Sequence, residues 1–125
     1  MQATIKQEIK TVEQVKELVD KFYSKVNTDE LLSPIFNNEA KVNWEEHLPK
    51  MYTFWSTQLL GTGNYNGRPF PPHAVLHIGK NHFERWLQLF TETVNENFTG
   101  EVAESAKAKA ANIAAIFQYK LGLIS

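Results

Sequence analysis

Apolar positions along this chain recur at the three- and four-residue spacing of helices, and no alternating strand pattern competes with them. A first helix is predicted over about residues 11–27, opened by Thr11 with Gln14 three positions on, the pairing of a capping box. At about 100° per residue, Val12, Val15, Val19, Phe22, Tyr23 and Val26 share one face, which puts Tyr23 on the buried side. Leu31-Leu32-Ser33-Pro34-Ile35-Phe36 reads as a short turn or helix carrying apolar anchors. A second helix is expected from about Asn43, with Glu46 as its capping partner, to about Leu60. Its stripe is His47, Met51, Phe54 and Gln58, with Trp55 alongside. The pattern then stops, because the run from Gly61 to Pro72 is loop chemistry throughout. A third helix covers about Lys80 to Asn97, with Phe83, Trp86, Leu87, Phe90 and Val94 on its inner face. The last starts after Gly100 and runs to about Leu121, with Val102, Ala106, Ala110, Ile113 and Phe117 inward and Lys107 and Lys109 outward. The fold class is all-α, in a single domain over residues 1–125.

Composition narrows the function classes. Three Trp, four Tyr and eight Phe among 125 residues are many large rings for so small a core, and they suit either compact aromatic packing or a flat apolar ligand. The 13 basic and 14 acidic residues leave a net charge of −1 without a long run of either sign, so no nucleic-acid surface and no polybasic membrane patch is expected. The first residues have no apolar signal core, and no stretch approaches the roughly 18 apolar residues of a membrane span. A cytoplasmic protein without a membrane partner is the expectation. Cysteine is absent, which removes disulfides, thiolate nucleophiles, iron–sulfur clusters, Cys-based zinc sites and thioether-linked haem.

Phosphate and hydrolase signatures fail. Gly61, Gly63 and Gly67 follow a predicted helix rather than a strand, with the wrong spacing for a dinucleotide loop. What remains is His47, His73, His77 and His82, since neutral imidazole is the commonest metal ligand. His73 and His77, four apart, would share a helical face. A non-haem helical protein holding a zinc-type metal there, or another apolar ligand, is one reading. His73 alone, behind the rigid Pro71-Pro72 lead-in and between two aromatic helices, reads either as a surface histidine, the commoner case for a loop histidine after prolines, or as the axial ligand of a haem iron. Buried Tyr23 and Trp86 would each direct a hydrogen-bond donor either to a nearby carbonyl or water, or into a ligand pocket. Spacing does not choose between these.

Several stretches together resemble the group III truncated haemoglobins. They are Phe22-Tyr23-Ser24-Lys25-Val26, Pro34-Ile35-Phe36-Asn37, Trp44-Glu45-Glu46-His47, Phe54-Trp55, Leu59-Leu60-Gly61, Tyr65-Asn66-Gly67-Arg68-Pro69, His73, and His82-Phe83-Glu84-Arg85-Trp86-Leu87. The likeness runs from about residue 10 to 120, and the missing Gly-Gly pairs agree with that group. It implies a shortened globin fold, a two-over-two helical sandwich around haem b (iron protoporphyrin IX). It further implies His73 as the proximal iron ligand, with Tyr23, His47 and Trp86 on the distal side. Phe22, Phe36, Met51, Phe54, Trp55 and Phe83 would wall the pocket, and Arg68, Lys50 and Tyr65 would meet the propionates. The partners implied are O2, NO, CO or similar small ligands and a reductase. The resemblance implies oxygen, nitric oxide or peroxide chemistry (NO dioxygenase-like or peroxidase-like) without one settled reaction and leaves open whether the protein is an enzyme, while His77 and His82 inherit no role.

Overall fold

The computed structural model describes residues 6–39, 41–61 and 78–123. A two-residue strand β1 (Gln7–Glu8) leads into helix α1 (Val12–Thr28), followed by a π-helical turn (Ile35–Glu39) and helix α2 (Trp44–Leu60). Helix α3 (Lys80–Asn97), strand β2 (Phe98–Thr99) and helix α4 (Glu101–Lys120) complete the described chain.

The helix starts are local chemistry. Thr11 accepts from the Gln14 amide while the Gln14 side chain accepts from the Thr11 amide, so the predicted capping box closes α1. Asn43 caps α2 by accepting from the Glu45 amide at 3.1 Å; Glu46 does not complete a box. His82 Nδ1 accepts from the Gly79 amide at 2.9 Å at the start of α3. That gives His82 a structural task, satisfying a donor just ahead of the helix.

α1 packs on α2 and α3, and α4 packs on α3 and α2, so the four helices close a ring of contacts two over two. Its core is Val15, Leu18, Val19, Phe22, Val26, Phe90, Val94, Ala106 and Ala110, all at or near zero exposure. Three cross-links hold α1 antiparallel to α3: Lys21 to Asn97 at 2.8 Å, Lys25 to Glu96 at 2.6 Å and Arg85 to Asp29 at 2.7 Å. On the other side of α1, the Tyr52 hydroxyl of α2 donates to Asp20. Burial, that acceptor and the Asp20 charge push the Tyr52 phenol up to about 12.

Four expectations change. β1 pairs with β2 in parallel, Gln7 opposite Phe98 and Glu8 opposite Thr99, where no strand was expected. In α4 the buried stripe is Ala103, Ala106, Ala110, Ala114 and Gln118, with Val102, Ile113 and Phe117 half-buried. The helix is thus rotated so that its smallest side chains meet α3, which lets the backbones approach closely. Lys107 and Lys109 are half-buried rather than outside. In α2 the buried residues are Trp55 and Ser56, and Gln58 is exposed. In α1 Val12 is exposed and Leu18 takes a core position.

Candidate functional site

Tyr23 lies on the inner face of α1, six per cent exposed. Its ring packs against Phe36 at 5.9 Å, Trp44 at 5.3 Å and His47 at 5.4 Å, centroid to centroid. The π-helical turn supplies Phe36, and the first turn of α2 supplies Trp44 and His47, three residues apart on one helical face. Trp44 stacks on Phe36 and presents its edge to His47. Its indole N–H donates to Asn37 Oδ1 at 2.9 Å, which ties the α2 start to the preceding turn. The Nε2 atom of His47 is shielded from solvent.

Phe22 continues the run of rings. It lies 4.8 Å from Tyr23, 5.6 Å edge-on from Trp86 and 5.2 Å edge-on from Phe90. Trp86 and Trp55 both stack on Phe90, and Trp55 meets Phe54 edge-on. The aromatic run therefore starts on α2 at Trp44, crosses α1 and α3, and returns to α2 at Phe54. Each such pair is worth about 0.5–1.5 kcal/mol beyond the area it buries. Met51, Phe54, Trp86 and Leu87 remain half-buried along it, large apolar side chains not fully covered.

One carboxylate, at the C-terminal end of α1, is buried. Asp29 Oδ2 accepts from the amides of Leu32 and Leu31, and Oδ1 from Arg85 Nε. Burial alone would push the Asp29 carboxyl up. The Arg85 bond and charge, with the two amides, outweigh that and hold it below its ordinary value.

Of the expected site residues, Tyr23, His47 and Trp86 are joined through this run, with Phe22, Phe36, Phe54 and Trp55. Met51 packs half-buried against the same core, and Phe83 is buried on α3. Lys50 is exposed on α2. His73, Tyr65 and Arg68 lie outside the described residues, as does His77 and with it the two-histidine metal clip. Three further participants were not singled out from the sequence. Trp44 could have been, since it continues the stripe of His47, Met51 and Phe54 one step toward the N-terminus. Phe90 was placed on the inner face of α3 but given no part in the site. Asp29 carries no local signal, because its partner is 56 positions away.

The family model of bacterial-like globins matches residues 4–118. The chain belongs to the bacterial-like globin family. It is 39% identical over 117 residues to the group 3 truncated hemoglobin ctb of Campylobacter jejuni, covering 88% of this chain and 92% of that protein. A group 1 truncated hemoglobin, GlbN of Nostoc commune, is 30% identical over 95 residues, covering 75% of this chain and 76% of its own. The crystal structure of the group III truncated hemoglobin from Campylobacter jejuni superposes with a TM-score of 0.85 at 38% identity, covering 94% of this chain and 95% of that one. The all-α truncated globin fold and the group III resemblance read from the sequence therefore stand. As a truncated globin the chain is a haem protein that binds small gaseous ligands such as O2. Its described residues fit that cofactor: half-buried Met51, Phe54, Trp86 and Leu87 offer apolar surface, and Tyr23, His47 and Trp86 add polar donors on the same wall.

Proposed function

We propose that this globin holds haem b through His73 and retains a diatomic ligand, O2 first and NO or CO as alternatives, with donors from Tyr23, Trp86 and His47. The absence of cysteine supports a haem without thioether links. The haem, when bound, supplies an iron with a position open to a small ligand. The rest of the reading concerns the chain's own side chains. Tyr23 carries a phenolic donor, and its ring is fixed on three sides by Phe36, Trp44 and His47. Trp86 carries an indole donor that cannot act as an acceptor. Its ring is held by Phe22 and Phe90. Donors held in place by packing lose little freedom on bonding to a ligand, which favours slow release.

The single observation that carries this reading is the convergence of Tyr23, His47 and Trp86, residues from three helices, on one continuous aromatic wall. Tyr23→Phe and Trp86→Phe test it. Each removes one donor while keeping a ring, and each should speed O2 dissociation by about three- to tenfold in stopped-flow displacement. Wild-type rates in both variants would exclude the donor role. Retention with polar donors also suits NO dioxygenation and peroxide reduction, for which a reductase would supply the electrons. Consumption of NO by the oxygenated protein, slowed in Tyr23→Phe, is the expected outcome. A cytoplasmic location is part of the same proposal.

A further inference from the structure

Asp29 is the only charged side chain among the described residues that is buried, and it lies where three elements meet. Its own amide donates to Val26 O at 3.2 Å and ends α1, six residues after Tyr23. Its carboxylate accepts from Leu31 and Leu32 at 3.2 and 3.0 Å, which sets the turn that delivers Phe36 against Tyr23. Its other oxygen receives Arg85, the residue immediately before Trp86 on α3. The remaining polar links between α1 and α3, at Lys21 and Lys25, lie farther along the helices, with Lys25 29% and Glu96 58% exposed. Those are surface bonds, worth little individually. The Asp29–Arg85 pair differs at its acid end, since the Asp29 side chain is 6% exposed while the Arg85 side chain is 36% exposed. Desolvation of the buried carboxylate opposes the attraction, so the placement of the pair calls for a reason other than stability.

We infer that Asp29 and Arg85 are a positioning pair that fixes the Trp86 indole relative to Tyr23, and so sets how strongly the pocket retains its ligand. The inference rests on the reading of Tyr23 and Trp86 as ligand donors. Arg85 leaves its neighbour's indole free to face the pocket while its own Nε is held by a carboxylate at the end of the helix carrying Tyr23. One anion thereby references both donors to the same point.

The test uses haem-loaded wild type, Asp29→Asn, Arg85→Met, Arg85→Lys, the Asp29→Asn/Arg85→Met double variant, and Lys25→Met as a control for loss of an α1–α3 link. Asp29→Asn keeps an acceptor for the Leu31 and Leu32 amides and removes the charge that faces Arg85. Four quantities are read: O2 dissociation, the C–O stretch of the ferrous carbon monoxide complex, thermal unfolding, and the Trp86 indole N–H resonance of the haem-free chain. Asp29→Asn and Arg85→Met should each speed dissociation about three- to tenfold, and shift the stretch and the resonance. The double variant should go no further, as for two partners in one interaction. Arg85→Lys should recover part of the effect. Lys25→Met should change the unfolding temperature little and leave the other readouts in place. Lower stability in Asp29→Asn and Arg85→Met with unmoved rates, stretch and resonance would overturn the inference. Unchanged dissociation in Tyr23→Phe and Trp86→Phe would instead remove the donor reading, and the indole resonance would still report whether the pair holds Trp86.

Discussion

Tyr23 and Ser56 are both buried polar residues, yet their surroundings differ in kind. The Tyr23 ring is packed on Phe22, Phe36, Trp44 and His47, so burial has placed a donor within an aromatic wall. The Ser56 hydroxyl, three per cent exposed on α2, has no hydrogen-bond partner among the described residues. A buried unsatisfied hydroxyl costs stability, so Ser56→Ala should leave the unfolding free energy unchanged or raise it by up to about 1 kcal/mol. A loss larger than that in denaturant titration would mean that the hydroxyl makes a bond that matters. At this scale the sequence was informative where helical periodicity alone decides burial, as for Tyr23 and Phe90. It was silent on Asp29, since a carboxylate whose partner stands 56 positions away leaves no local pattern.

Whole elements were legible at their ends more than on their faces. Caps are short-range chemistry, so Thr11 with Gln14, Asn43 and Gly100 marked helix starts that the structure retains. The face of α4 was not legible, because alanines at 103, 106, 108, 110, 111, 114 and 115 give almost no contrast between sides. Packing against α3 chose the side. The β1–β2 pair was invisible for a different reason: two residues paired across most of the chain have no period to read. Gly100 explains how that junction is made. It has φ +97°, and a Cβ there would stand 3.0 Å from Glu8 Oε1 of β1. Gly100→Ala should therefore lower stability by about 1–3 kcal/mol. Thermal unfolding measures this, and an unchanged midpoint would contradict the strained turn. The Asp29–Arg85 link between α1 and α3 has its own signature in pH. Because the folded-state carboxyl is lowered, its contribution is present above the unfolded value of about 4 and is lost as pH falls through the lower folded value. The stability gap between wild type and Asp29→Asn should narrow as pH falls below the unfolded value of about 4. A gap that stays constant there would show that the carboxylate charge plays no part.

For the molecule as a whole, the fold and the proposed distal wall agree: a ring of four helices brings Tyr23, His47 and Trp86 to one aromatic run, and the chain matches bacterial-like globins over residues 4–118. The all-α class was legible from periodicity, whereas the haem was legible only through the combined motifs. A Pro-Pro-His segment, an aromatic-rich core and a buried tyrosine each have ordinary structural explanations when taken singly. The central claim is a haem ligated by His73. Its most direct test is the absorption spectrum of purified protein supplied with haem, recorded ferric, ferrous and ferrous under carbon monoxide, for wild type and His73→Ala. The account predicts a strong Soret band in wild type that shifts with carbon monoxide, and a weakened or altered band in His73→Ala. A wild-type chain that takes up no haem would contradict it, and a carbon-monoxide-responsive spectrum indifferent to His73→Ala would show that another residue holds the iron.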